Sequence, residues 1–357
     1  MPQLQESRDK SPEPAQALPG AGHVVVTGAS AGIGRAVALA FGRRGWRVTV
    51  LARGRAGLDA AAAEIEAAGG SALVIQADVG DAQAVFAAAQ RASAHFGPID
   101  IWVNNAMATV FGPVGRVPPA EWEKVTRTNY LGAVHGTLAA LKHMRARNRG
   151  TIVQIGSALA YRAIALQAPY CATKFAIRGF TDALRSELDH DASAVRLTMV
   201  QLPGVNTPQF EWSRTHMPRR HRPVGAWYQP EAIAEKIVGA ALRAPRELWI
   251  GRPAIEAIVG SMLLPGFLDH YLARTAYEQQ MSKLPAGAGE GILFEPAPQD
   301  HGAHGPFDEG AQTTVFAAQP ALLRAGLGLA ALGALALAFL AGGRAASDRQ
   351  RSRAVSP

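Results

Sequence analysis

The residues Thr27-Gly28-Ala29-Ser30-Ala31-Gly32-Ile33-Gly34 place three glycines in eight positions, between an apolar run and an alanine-rich helical stretch. Such a turn lets the chain bend tightly and lets its backbone approach a pyrophosphate. The helix that follows offers free N–H groups and the positive end of its dipole. Thr27, Gly28, Ser30, Gly32, Ile33 and Gly34 are therefore candidate phosphate-binding residues. The second apolar run ends Val50-Leu51-Ala52-Arg53. An acidic residue there would accept hydrogen bonds from the ribose hydroxyls of NAD. Arg53 stands in its place, with Arg55 just beyond, and a guanidinium suits a 2′-phosphate. The expected cofactor is NADP(H) rather than NAD(H). Asp78 and Val79 close the third run, where a carboxylate could meet the adenine amino group. Further along, Tyr170 and Lys174 lie four residues apart in a helical pattern and share one face. Ser157 ends the fifth run, and Asn129 lies in the long helical stretch before it.

These groups need a scaffold, and the alternation from about residue 22 to 252 supplies one. Short apolar runs at His23–Thr27, Arg47–Leu51, Ala72–Gln76, Ile99–Val103, Thr151–Ile155, Val195–Val200 and Leu248–Ile250 read as strands. Helical patterns fall between them near 33–44, 56–68, 81–96, 119–147, 169–190 and 230–243. Asp81 and Pro119 suit helix starts, and the glycines at 45, 69, 70 and 97 suit helix ends. Continuous apolar strands alternating with helices imply a parallel sheet covered on both faces. Right-handed crossovers make it doubly wound, with ligands at the carboxyl ends of the strands. The expected fold is α/β: a doubly wound (Rossmann) seven-stranded parallel sheet with a C-terminal helical extension and a hydrophobic tail segment.

Taken together, the Thr27–Gly34 turn, Asn104-Asn105-Ala106, Asn129, Ser157, Tyr170 with Lys174, and Pro203-Gly204 resemble the short-chain dehydrogenase/reductase family over about residues 22–250. The resemblance implies that Tyr170 is the general acid/base. A free tyrosine titrates near about 10, too high for that work at neutral pH. Lys174 would lower it and hold the nicotinamide ribose. Ser157 would hydrogen-bond the substrate oxygen and stabilise charge as hydride moves. Asn129 would hold a water in a proton relay through Lys174; its bland alternative is a brace for the neighbouring strand. Asn104 would brace the sheet, with Asn105 and Ala106 beside the cofactor. Pro203, Gly204 and Thr207 would line the nicotinamide side. The family pattern continues with glycine after Ala106, and here Met107 stands there. NADP(H)-selective members often carry a basic residue before the second glycine of the turn, and here it is Ala31, so the cofactor expectation rests on Arg53. Cys171, beside Tyr170, reads as a buried inert thiol.

Outside this core the chain changes character. Residues 1–21 are polar and proline-rich, with no apolar run of signal-peptide type, and read as a disordered lead-in. The loop after the sixth strand carries Arg214, His216, Arg219, Arg220, His221 and Arg222, which could meet an anionic substrate or lipid headgroups. Residues 253–320 form a less regular extension. Residues 321–343 end in AGLGLAALGALALAFLAGG, an uncharged stretch of nineteen residues (325–343), followed by an Arg-rich tail, 344–357. Nineteen residues approach the roughly 20 of a spanning helix, but seven Ala and five Gly make the stretch feeble. It is read as a membrane-attaching helix. The rival is a soluble helix packed on a partner chain.

Composition narrows the function classes. Hydrophobic residues make up 48% and charged residues 18%, which is that of a folded core and excludes a wholly disordered chain. The single cysteine excludes an internal disulfide and a cysteine-based zinc cluster, and no metal is expected. The 36 Lys and Arg against 28 Asp and Glu give a net charge of +8, yet no nucleic-acid-reading motif is present. The expected function is hydride transfer between NADP(H) and a small-molecule carbonyl or alcohol, in a cytoplasmic catalytic domain. A lipophilic substrate would fit membrane contact. The family implies a homo-oligomer. The alternative is a non-catalytic nucleotide-sensing scaffold at a membrane, which would have no need of Asn129, Ser157, Tyr170 and Lys174 together. An epimerase or dehydratase on the same fold is a narrower rival.

Overall fold

The computed structural model describes residues 22–286 and 291–321. Seven strands form the expected parallel sheet: β1 (His23–Thr27), β2 (Arg47–Ala52), β3 (Ser71–Gln76), β4 (Ile101–Asn104), β5 (Gly150–Ile155), β6 (Val195–Gln201) and β7 (Glu247–Ile250). An eighth short strand, β8 (Ala317–Ala318), adds to the seven expected from sequence, and the order is β8-β7-β6-β5-β4-β1-β2-β3. Two residues are too few to give a readable alternation, which is why the pattern missed it. The chain divides into two compact units, Met1–Ala317 and Ala318–Pro357.

The strands are apolar throughout because helices cover both faces of the sheet. One core lies on the side of α1 (Gly32–Gly42), with Val24, Val26, Phe41, Val48, Val50, Ile233 and Ile237 buried together. The other lies on the opposite face, with Val25, Leu51, Trp102, Met144, Ile152 and Leu197. Alternate residues of β1 thus face opposite cores, as the period of two requires. Two of the remaining helices begin with residues suited to the task. Asp81 accepts hydrogen bonds from the N–H groups of Gln83 and Ala84 (2.9 and 3.2 Å) at the start of α3 (Ala82–Phe96, after α2, Arg55–Ala67), and Pro119 opens α4 (Pro119–Thr126).

The sheet order reverses between β1 and β4. Connections leave this pair on opposite sides, so a crevice opens at their carboxyl ends. The stretch expected as one helix over 119–147 is interrupted there. It consists of α4, a π-helical turn at Arg127–Leu131, and α5 (Gly132–Arg145). The wider turn accommodates one residue more than an α-helical turn and coincides with Asn129. The long α6 (Ala168–His190) then carries Tyr170 and Lys174 in its first two turns. α7 (Pro230–Arg243) precedes β7. Beyond residue 252 two helices follow, α8 (Arg252–Leu263) and α9 (Pro265–Gln279), in the same unit as the sheet. Among the described residues no helix is long and apolar enough to cross a membrane. The segments 1–21, 325–343 and 344–357, to which the sequence assigns a lead-in, a membrane-attaching helix and a basic tail, lie outside the described residues.

Candidate active site

The crevice at the reversal point is floored by the turn after β1. Gly28 has φ +67°, and a Cβ there would stand 2.7 Å from the Ala106 Cα. Gly34 lies so close to the Gly28 carbonyl oxygen that any side chain would collide with it. Only glycine fits either position, so the sequence holds a bare backbone surface open at the helix N-terminus. Thr27 sits behind this surface. Its buried hydroxyl donates to Val103 O (3.2 Å) and accepts from the N–H groups of Asn105 (3.0 Å) and Ala106 (3.1 Å). Asn105 returns its amide to Thr27 O (2.9 Å). Thr27 and Asn105 therefore stitch the carboxyl end of β1 to that of β4.

Asn104 belongs to the sheet interior. It accepts from the Trp102 indole (2.8 Å) and donates to Thr137 (3.0 Å) and Gln154 (3.1 Å). This is the bracing role expected of it, with every polar group satisfied.

One cleft brings together Gly28, Ser30, Gly32, Ile33, Arg53, Asp78, Val79, Asn105, Ala106, Ser157, Tyr170, Lys174, Pro203 and Thr207. Thr27, Gly34, Asn129 and Gly204 do not line it. Thr27 and Gly34 stand directly behind it, against Gly28, Asn105 and Ala106. Arg55 turns outward to Asp59 (2.8 Å), so Arg53 alone serves the cleft.

Tyr170 and Ser157 meet from different elements. The chain leaves β5 at Ile155, and Ser157 then caps a short 3₁₀ turn by accepting from the Leu159 N–H (3.1 Å). The Ser157 N–H is fixed on the Gln201 side chain (2.8 Å). Burial pushes the Tyr170 phenol up from its ordinary value, and a hydrogen bond with Ser157 pulls the other way. Lys174 is buried one turn along α6, 5.4 Å from the centre of the Tyr170 ring. Its ammonium donates to Ile155 O (2.7 Å), and burial pushes it down to about 8. Both shifts have one cause: a poorly hydrated cleft favours the neutral forms. Burial therefore acts on Tyr170 against the lowering expected of Lys174.

Asn129 is held at three points. Its side-chain oxygen accepts from Ala108 N–H (2.6 Å). Its amide donates to Ala108 O (2.9 Å) and to the Thr173 hydroxyl (3.1 Å). Both amide protons and the oxygen are engaged, so the side chain clamps the loop after β4 onto α6. Cys171 is buried and its thiol pushed up to about 11 by that burial, which makes it inert as expected.

Asp78 lines the cleft beside Val79. Burial acts to raise its carboxyl, but Lys124 (2.8 Å) and the Gly80 N–H (2.8 Å) hold it below the ordinary range. The basic loop does not form the exposed cationic patch that its sequence suggests. Arg214 (2.8 Å) and His216 (2.7 Å) turn inward onto Glu121, which is 3% exposed. Arg219 pairs with Glu278 (2.6 Å). His221 is buried against Phe111, ring centres 3.7 Å apart, and pushed down to about 4 by desolvation. A buried carboxylate demands charge partners, and the nearest loop supplied them. Only Arg220 and Arg222 remain exposed.

No sequence pattern announced the cleft's outer wall. Ile292, Pro296, Ala297, Gln299 and His301 line it, from a Gly/Pro/His-rich stretch whose composition marks a loop but not its docking place.

A family model described as short chain dehydrogenase matches residues 22–217. The chain is similar to the uncharacterized oxidoreductase YxnA of Bacillus subtilis, 32% identical over 271 residues, covering 75% of this chain and 76% of that one. It is also similar to the mouse 3-ketodihydrosphingosine reductase, 33% identical over 241 residues, with 65% and 71% covered. Among solved structures, a metagenomic short-chain oxidoreductase in complex with NADP shares 32% identity and a TM-score of 0.54, over 63% of this chain and 92% of that chain.

Proposed function

This chain belongs to the short-chain dehydrogenase/reductase family, and from that premise we propose that it is an NADP(H)-dependent reductase of a lipophilic ketone or aldehyde, with Tyr170 as proton donor. The observation that carries the reading is the meeting of Ser157, Tyr170 and Lys174 in one cleft with the glycine turn and Arg53.

The residues fit the cofactor. Gly28 and Gly34 leave the backbone bare where a pyrophosphate would rest, α1 points its N-terminus there, and Arg53 supplies a cation at the end of β2 for a 2′-phosphate. The solved relative in complex with NADP supports the same choice. When bound, the nicotinamide supplies the hydride. Ser157 and Tyr170 would both reach the substrate carbonyl oxygen, Ser157 as a fixed hydrogen-bond donor and Tyr170 as the acid. A phenol kept neutral by burial is in the correct state to give its proton as charge develops on that oxygen. Lys174, anchored on Ile155 O, would hold the ribose and restrain the phenol between turnovers. Asn129 acts as a positioning residue through Ala108 and Thr173.

A lipophilic substrate is favoured by Met107, Leu202, Val205, Trp212 and Ile292 along the cleft, and by the name of the mouse relative. Attachment of the uncharged stretch 325–343 to a membrane would suit such a substrate and is part of the proposal. The test is a panel of short-chain, steroid-like and long-chain ketones, followed at 340 nm with NADPH and with NADH. Turnover of the apolar ketones with NADPH is expected. Turnover with none of them, or only with NADH, sinks the reading.

A further inference from the structure

Residues 291–308 cross the mouth of the cleft as a strap, beyond the stretch of chain that matches the family model. Its first part is seated on the loop after β6 and on β2. The Ile292 N–H donates to Trp212 O (3.0 Å). The Arg53 guanidinium donates to the carbonyls of Ile292 (2.6 Å), Leu293 (3.1 Å) and Phe294 (2.9 Å). The Leu293 side chain is buried with Val110, Val117 and Val125. The middle of the strap crosses to α1. Asp300 pairs with the buried Arg35, which also holds Glu64 (2.8 Å), and the Gly302 carbonyl accepts from the N–H of Gly32 (3.1 Å). The last part returns to the loop after β6, where the Asn206 side chain accepts from the Phe307 N–H (2.9 Å).

Two of these contacts use the groups that a phosphorylated dinucleotide needs. The Gly32 N–H belongs to the anion-binding turn, and the Arg53 guanidinium is the cation available for a 2′-phosphate. The strap's carbonyls occupy both, while Pro296, Ala297, Gln299 and His301 roof the space between them. The remaining contacts, Leu293 in its apolar cluster and Asp300 on Arg35, serve to hold the strap down. We propose that residues 291–302 are a gate on the cofactor cleft, so that NADP(H) enters and leaves only when this segment lifts away from Arg53 and Gly32. The inference rests on the NADP(H) reading of the cleft. Its consequence is slow cofactor exchange set by the strap rather than by the cofactor's own contacts.

The structure offers a direct lock. A Cβ built on Gly54 stands 3.6 Å from the Pro296 Cβ, inside the Cβ–Cβ range of about 3.5–4.5 Å for a disulfide. Gly54→Cys with Pro296→Cys therefore joins the strap to the end of β2, and the native Cys171 is too buried to compete. The full-length double variant is oxidised without cofactor, mixed with NADPH in a stopped-flow instrument, and followed by nicotinamide fluorescence. The oxidised form should take up NADPH at least about a hundredfold more slowly than the same protein after dithiothreitol. Protein loaded first and oxidised second should release NADPH slower by a similar factor. Equal rates before and after reduction overturn the gate and leave the cofactor reading intact. If neither the reduced variant nor the wild type binds NADPH, the cofactor reading and the gate fall together. A second variant stands independently of disulfide formation: Asp300→Asn removes the charge from the strap's pair with Arg35 and should speed NADPH release severalfold, and an unchanged release rate also counts against the gate.

Discussion

Replacing Lys174 with methionine isolates the electrostatic cost of the cleft. The side chain keeps its length and loses its charge. Burial pushes the Lys174 ammonium down from 10.5 to about 8, which corresponds to a destabilisation of about 3 kcal/mol when the group is charged. The sign follows from proton counting. Between pH 8 and 10.5 the unfolded chain binds a proton that the folded chain has lost, so stability rises with pH across that window. Tyr170 behaves oppositely: its folded value is raised, so its contribution is full below about pH 10 and is lost above it. The measurement therefore stops at pH 9.5. Between pH 7 and 9.5 about 2 of the 3 kcal/mol should be recovered by the wild type and not by Lys174→Met. The bond to Ile155 O that methionine cannot make adds a constant and cancels between the two pH values. Urea unfolding of both proteins, without cofactor, at pH 7 and pH 9.5 gives the difference of differences. A wild-type advantage that grows by about 2 kcal/mol with pH agrees with the geometry. A difference unchanged within about 0.5 kcal/mol, near the practical error of such extrapolations, refutes the claim that Lys174 is held at a depressed value.

Tyr170→Phe removes the transferable proton and keeps the ring. Turnover in the ketone assay should fall by about 10²–10⁴-fold while NADPH affinity, read by fluorescence titration, stays within a few-fold. Arg53→Asp takes away a phosphate partner and places an acceptor for ribose hydroxyls at the end of β2. The ratio of kcat/KM with NADPH to that with NADH should drop by about a hundredfold, the worth of about 3 kcal/mol of charged hydrogen bonding. A chain ending at Ala321 keeps all eight strands and the strap. It should retain ketone reduction, whereas full-length protein alone should stay in the membrane pellet through a high-salt wash; equal partitioning of the two removes the role given to 325–343.

Short-range physics made much of the catalytic domain legible from sequence. A strand buried on both faces must be apolar throughout, and a covering helix must repeat near 3.6 residues, so β1 to β7 and their helices could be placed within a few residues. The glycine turn was legible because Gly28 and Gly34 are positions where no side chain fits. Tyr170 and Lys174 were legible as neighbours because four residues on a helix return to one face. What the tertiary structure decided concerns charge and distance along the chain. Whether Lys174 lowers Tyr170 depends on how dry the cleft is, and burial shifts both groups toward their neutral forms. Asn129 became a clamp because a π-helical turn aims it at Ala108. Arg214 and His216 of the basic loop turned inward onto Glu121, 93 residues before Arg214, and no local pattern announces such a partner. The strap shows the same limit most clearly. Arg53 and the carbonyls that hold it are about 240 residues apart. A carbonyl carries no sequence signature, so only the folded chain reveals that the cofactor cleft has a roof.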